Sequence, residues 1–335
     1  MKQIANNETE KFYRAIEELN QERQKEVYDL LCSKEFQIGK MVTDCLSNIQ
    51  KLRKKTVRDI ISYRKYSVNR KKIEKKYSAG RDRDNKCDFN SSYSSQNSKI
   101  AVYTCVTGCY DRVKEPLLEF DNTDYFIFTD HKLNCLAEDI KKYEVQLVPE
   151  EILKMGNITA NRYVKLHPFE FFHGYDYSIY LDGNIRAVSD IRKFVNKCTT
   201  QTGIAMHRHS ERNCIYDEAA VCKAMNFGNP QYISRQMRKY KKEGFPEGYG
   251  MHEANVIVTD LSNPTAKILF DSWWNEFIRA NSLRDQLCWP YVLWKNGYTI
   301  EDIGNLGTNV YKNYMLEYRK HNKKSLPELF LRNIR

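Results

Sequence analysis

Hydrophobic positions change their spacing near residue 99. Before it they recur at helical intervals; after it, short apolar runs alternate with helical stretches. Ile38, Met41, Val42, Cys45, Leu46, Ile49 and Leu52 fall on one helical face, and Val57, Ile60 and Ile61 extend the stripe. Phe12, Ile16, Leu19, Val27, Leu30 and Leu31 mark a looser helix. Residues 1–77 therefore read as a helical extension. Residues 78–98, rich in Ser, Asn, Asp and Arg, read as a linker.

From Lys99 the pattern predicts strands over 100–106, 124–130, 143–148, 203–206 and 254–259. Another is Tyr177-Ser178-Ile179-Tyr180-Leu181, which runs into Asp182-Gly183-Asn184. A strand with so few polar positions belongs at the buried centre of a sheet. Helices are expected over 160–172, with Pro168 kinking it, then 190–197, 215–225, 230–243 and 264–280, with another starting at Leu283. Asp190 is placed to cap the second of these. Strands alternating with helices give an α/β domain over 99–305, with a mostly parallel sheet flanked by helices. Residues 306–335 read as a basic tail.

Charge sharpens the division. The formal net charge is +11, and Lys51–Tyr77 carries twelve Lys/Arg against only Asp59 and Glu74. A basic arm on a nearly neutral body suggests attachment, to an anionic membrane surface or within a homo-oligomer joined through the helices. No aromatic platform accompanies it, so nucleic acid is not an expected partner. The ten cysteines show no paired spacing, Met1–Glu10 is polar, and no apolar run approaches the ~18 residues of a membrane span. The expected setting is cytoplasmic, peripheral to the inner membrane face.

Chemistry-bearing residues gather just after the strands, where open α/β sheets bind ligands. They are the Thr104, Thr107 and Gly108 turn, continuing to Tyr110 and Asp111; Asp130; Asp182 and Asn184; and His207 and His209 around Arg208. Arg162 and Lys165 lie one helical turn apart and could clamp an anion. A carboxylate fixed at a strand end is costly to desolvate unless paired, and a cation carrying a diphosphate is the plainest partner. Gly-x-Gly-x-x-Gly, Walker A, His-Glu-x-x-His and Gly-x-Ser-x-Gly signatures are absent. Two other readings stay open: a metal-dependent hydrolase built from Asp182, His207, His209 and His252, and a non-catalytic sugar-binding scaffold. Trp273, Trp274 and Trp289, at helical spacing, are expected in the core.

The order of motifs resembles one family. Val-Tyr-Thr-Cys-Val-Thr-Gly-Cys-Tyr-Asp (102–111), Phe-Thr-Asp (128–130), Asn-Arg-Tyr-Val-Lys-Leu-His-Pro (161–168), Tyr-Leu-Asp-Gly-Asn-Ile (180–185), His-Arg-His (207–209), Glu-Ala-Asn-Val-Ile-Val (253–258) and Arg-Asp-Gln-Leu (284–287) carry it. The family is the glycosyltransferase-like domain of plant seed-mucilage synthesis and bacterial surface-polysaccharide proteins. The resemblance implies a GT-A-like (Rossmann-like) fold and transfer from a nucleoside-diphosphate sugar, UDP-linked, to a surface-polysaccharide or lipid-linked glycan acceptor. It makes Asp182 a metal or ribose contact, with Asn184 where a second carboxylate would stand; either Asp182 holds Mn2+ or Mg2+ with help from His252, or cationic side chains, with Arg162, Lys165, His207 and Arg208 available, replace the metal. An amide is the poorer ligand for either ion. Asp285 is the implied general base with Gln286 beside it, and Glu253 and His252 are its rivals.

Overall fold

The computed structural model describes residues 97–319, apart from Cys109, Arg112, 131–139 and Asn226, together with residues 72, 73, 76, 87 and 89. The chain divides into two units, Met1–Lys76 and Tyr77–Arg335. The elements below belong to the second. The helical stripe and most of the basic arm lie outside the described residues, as does the chain beyond Arg319.

The strands are β1 (Ile100–Val106), β2 (Thr123–Thr129), β3 (Glu144–Leu147), β4 (Tyr177–Leu181), β5 (Ile185–Ala187), β6 (Ile204–Arg208), β7 (His252–Asp260), β8 (Gly304–Asn305) and β9 (Leu316–Tyr318). The helices are α1 (Glu150–Leu153), α2 (Asn157–Leu166), α3 (Pro168–Phe171), α4 (Ile215–Ala224), α5 (Pro230–Lys242), α6 (Pro264–Ala280) and α7 (Trp289–Lys295). Seven strands form one sheet in the order β3-β2-β1-β4-β7-β6-β8, and β5 pairs with β9 in a second. In the large sheet β7 alone runs against the rest. Its first residues therefore lie at the edge where the other strands end, with Glu253 opposite His207 and His252 opposite Arg208.

Burial on both faces explains the apolar runs. All seven residues of β1 are buried. Tyr103, Phe126, Phe128 and Tyr180 pack under α6 and α7 with Phe270, Trp273 and Trp289. Val102, Ile179, Leu181 and Val256 pack on the other face with Ile191, Phe194, Met315 and Leu316. Trp273 and Trp289 stack at 4.4 Å and are almost completely buried, as expected for core residues. Among the described residues, no helix is long and apolar enough to cross a membrane.

Local chemistry sets the helix ends. Asn263 Oδ1 accepts from Thr265 N and Ala266 N, Pro264 takes the first turn, and Asn281 closes α6 in the left-handed region. Asp190 Oδ1 accepts from Arg192 N, the cap its position predicts, although the turn that follows is a 3-10 helix over Ile191–Lys197. Pro168 does more than kink the expected 160–172 helix. The chain breaks at His167, because the residue before proline is pushed out of the helical region.

Two boundaries differ from expectation. Residues 306–319 are no tail: Leu306, Val310, Met315 and Leu316 are buried, and β9 completes the small sheet. Its apolar residues are too widely spaced to show a period. Within the linker, Phe89 is buried against Phe194, ring centroids 5.0 Å apart. One aromatic in a polar stretch carries no pattern, yet fills a core site.

Candidate functional site

Asp182 is the first residue beyond β4, half-buried at the carboxyl edge of the sheet. Its backbone N–H donates to Asn255 O at 2.9 Å, which fixes it against β7. Tyr180 lies two residues earlier, hence on the same face. Its hydroxyl donates to Asp182 Oδ1 at 2.8 Å. Burial, then the Asp182 charge, pushes the Tyr180 phenol well up, so it stays a neutral donor. Gly183 must be glycine for space, since a Cβ there would strike Val106 and Asp111. That close approach sets Asp111 beside Gly183.

The turn after β1 is stitched in place. Thr107 Oγ1 donates to Asn157 O at 2.9 Å, and Gly108 N donates to Asp130 Oδ2 at 2.8 Å. Gly108 has φ +66°, and a Cβ would also strike the Asn157 amide, so two requirements meet on one residue. Thr104 sits inside the strand and is buried, so it does not line the edge. Tyr110 is 58% exposed on the turn. Its phenol is raised by partial burial and Asp111, and it also feels Arg162, Asp182 and Arg284.

Arg162 and Lys165 do form a clamp, and its anion is internal. Lys165 Nζ lies 2.6 Å from Asp285 Oδ2, and Arg162 Nε lies 2.9 Å from Asp285 Oδ1. Burial alone would raise the Asp285 carboxyl. Arg162, Lys165 and Arg284 outweigh it and hold the group well below the ordinary carboxylate range. A carboxylate so stabilised is a poor proton acceptor, which argues against the expected base role for Asp285. For Arg162, burial is outweighed by Asp285 and then Asp182, so its charge is secure.

Three expected ligands are engaged elsewhere. Asn184 is buried, and its amide donates to Arg319 O at 3.0 Å while Arg319 N returns a bond to Asn184 O. It clasps the strand after Asp182 to the end of β9. His252 is fully buried, with Nδ1 accepting from Trp289 Nε1 at 3.2 Å. Burial, then Arg208, drives its pKa far down. His207 is fully buried, with Nε2 2.9 Å from the Asn313 amide and its ring edge-on to Phe194. Burial lowers its pKa to about 3. All three are corrections: a position beside a strand end does not fix which way a side chain turns.

His209 is likewise tied in, its Nδ1 accepting from Glu211 N and Arg212 N, both at 3.1 Å. Among the described residues no three His, Cys, Asp or Glu side chains converge as a metal site. The three histidines of the hydrolase reading are each bonded within the protein. Glu253 and Gln286 do come together: Gln286 Nε2 lies 3.3 Å from Glu253 Oε2 and donates to His252 O at 3.0 Å. Glu253 Oε1 lies 3.4 Å from Ser210 N and Oγ.

Sequence reading missed Arg284, Tyr311 and Tyr318. The Tyr318 phenol is pushed up by burial and then by Asp111 and Asp182. The Tyr311 phenol is pushed up by Glu253, then by burial. Both come from the segment read as a tail, and their rings meet edge-on at 4.7 Å. A cavity of about 300 Å³ lies instead between α2 and the end of α6, lined by Met155, Thr159, Phe277, Ile278, Asn281 and Leu283. None of those residues belongs to the cluster around Asp182.

Residues 67–318 match the family model described as TOD1/MUCI70, glycosyltransferase-like domain. The chain belongs to the TOD1/MUCI70 family. Its glycosyltransferase-like domain thus takes in β9 and Tyr318, consistent with their packing into the fold. No curated protein matches the sequence.

Three solved structures similar to this TOD1/MUCI70 chain are themselves glycosyltransferases. Mouse xyloside xylosyltransferase 1, in its apo form, is 12% identical, with 62% of this chain and 85% of that chain covered and a TM-score of 0.37. Core-mannan synthase A from Aspergillus fumigatus, in its Mn/GDP form, is 13% identical, with coverage of 62% and 73% and a TM-score of 0.36. The galactosyltransferase LgtC, in complex with donor and acceptor sugar analogs, is 12% identical, with coverage of 56% and 68% and a TM-score of 0.35.

Proposed function

We propose that this TOD1/MUCI70 domain transfers a sugar from a nucleoside-diphosphate sugar, UDP-linked, to a surface-polysaccharide or lipid-linked glycan. Family membership supports transferase chemistry. The observation that carries the reading is the half-buried Asp182, held by the Tyr180 hydroxyl at a strand end where Arg162 is the nearby cation. Such a carboxylate accepts hydroxyls of a ribose or sugar. The guanidinium stabilises the negative charge that develops on the leaving diphosphate. The acceptor hydroxyl has to shed its proton, and Glu253, oriented by Gln286 and Ser210, is the better-placed acceptor than the ion-paired Asp285.

The expected Mn2+ or Mg2+ is not matched by this donor set. Of its expected ligands, His252 is bonded to Trp289 and Asn184 gives its amide N–H to the Arg319 backbone, so Asp182 is the one carboxylate among the three. A cytoplasmic, membrane-peripheral setting, with the basic arm on anionic lipid, completes the proposal on sequence grounds alone. Calorimetric titration of the full chain with a panel of nucleotide sugars tests the activity reading. Micromolar binding of one of them supports it, and no binding to any overturns it.

A further inference from the structure

Three cations surround one buried acid. Lys165 is only 2% exposed and is committed to Asp285, whereas Arg162 and Arg284 keep 20% and 24% of their side-chain surface. Arg284 immediately precedes Asp285 and caps the short 3-10 helix over Asp285–Leu287. Its Nη2 reaches Gln286 Oε1 at 3.5 Å and Glu218 Oε1 at 3.9 Å, both long. Glu218 is already matched by the closer Arg212 guanidinium. The Arg284 Nε is buried with no hydrogen-bond partner. Its stem is pinned from behind, because a Cβ on Gly228 would come within 2.9 Å of Arg284 Cγ. Arg162 is paired with Asp285, the residue next to Arg284, so that the two guanidinium charges oppose one another and both act on the phenol of Tyr110 on the turn after β1. Two guanidiniums are therefore held together, against their mutual repulsion, on one side of the site.

We propose that Arg162 and Arg284 bind the donor diphosphate directly, in place of a metal-bridged carboxylate pair, and that Asp285 with Lys165 is the anchor holding Arg162 in position. The inference rests on the transferase reading and deepens it. Planar guanidiniums suit paired phosphate oxygens, and an excess of cation over carboxylate leaves charge for the ligand. Asp182, with Oδ1 bonded to Tyr180, then serves a hydroxyl rather than a metal.

The test is titration of the full chain with UDP and with GDP, in EDTA and then in excess MnCl2. One of these diphosphates is expected to bind in EDTA, with Mn2+ changing Kd less than about threefold. Arg284→Gln should weaken that diphosphate at least tenfold, Arg284→Lys should restore part of the loss, and the matching nucleoside, followed by ligand-observed NMR, should be affected less than twofold. Binding that requires Mn2+, or equal loss of nucleoside and diphosphate in Arg284→Gln, overturns the inference and leaves the transferase reading intact. Absence of any nucleotide binding with or without Mn2+ removes both. Because wild-type binding in EDTA against Mn2+ decides the matter alone, a variant that fails to fold does not blunt the test.

Discussion

The end of β4, the end of β6 and the start of β7 lie on the same edge of one sheet, yet they treat their polar side chains in opposite ways. At β4, Asp182 is half-buried and has one hydroxyl partner. At β6 and β7, His207, His209 and His252 are buried and bonded to Asn313, to backbone amides and to Trp289. Topology brings groups to an edge; unused hydrogen-bonding capacity decides which of them can meet a ligand. On the proposed function the first region meets the ligand, while the second ties β6 to β7 around their bulge at Met206/His207.

The largest effect should come from the ion cluster next to the first region. Asp285→Ala leaves Lys165 and Arg162 buried without their carboxylate, and should destabilise the fold by about 3–5 kcal/mol in urea unfolding. A loss under 1 kcal/mol would mean the cluster is not a structural anchor. Next, Asp182→Asn keeps the size of the side chain and removes its charge. It should lower donor turnover about 10²-fold with little change in urea midpoint. Unchanged turnover would dissolve the distinction between the two regions.

The histidine side predicts a pH dependence. His207 titrates near 6.5 when unfolded but near about 3 in the fold, because burial disfavours its charge. Between those values the unfolded chain binds more protons. Stability therefore rises with pH across that window and is lost as pH falls through it, by about 1.4 kcal/mol per unit. His207→Gln should flatten that slope in unfolding measured from pH 4 to 6; an unaltered slope would place the titrating group elsewhere. The smallest effect belongs to Thr107→Val, which removes the bond to Asn157 O and should cost about 1 kcal/mol, read by thermal denaturation.

Much of this domain was legible in its pattern. The apolar runs of β1, β2 and β4 are buried on both faces, which is why they lack alternation. Asn-Pro at 229–230 and 263–264 marks two helix starts, because Asn caps and Pro suits the first turn. Asp182 stood out because a strand so apolar must end at its first carboxylate, and Tyr180 shares its face by the two-residue period.

Chain order could not say which way His207 and His252 turn, that Arg162 and Lys165 grip Asp285 across 123 and 120 positions, or that Asn184 holds Arg319. Nor could it show that residues 306–319 pack into the core and pair β9 with β5. Local periodicity reports which face of one element is buried. Which charge meets which depends on contacts between elements far apart in sequence, and these exist only once the sheet has brought its strand ends together.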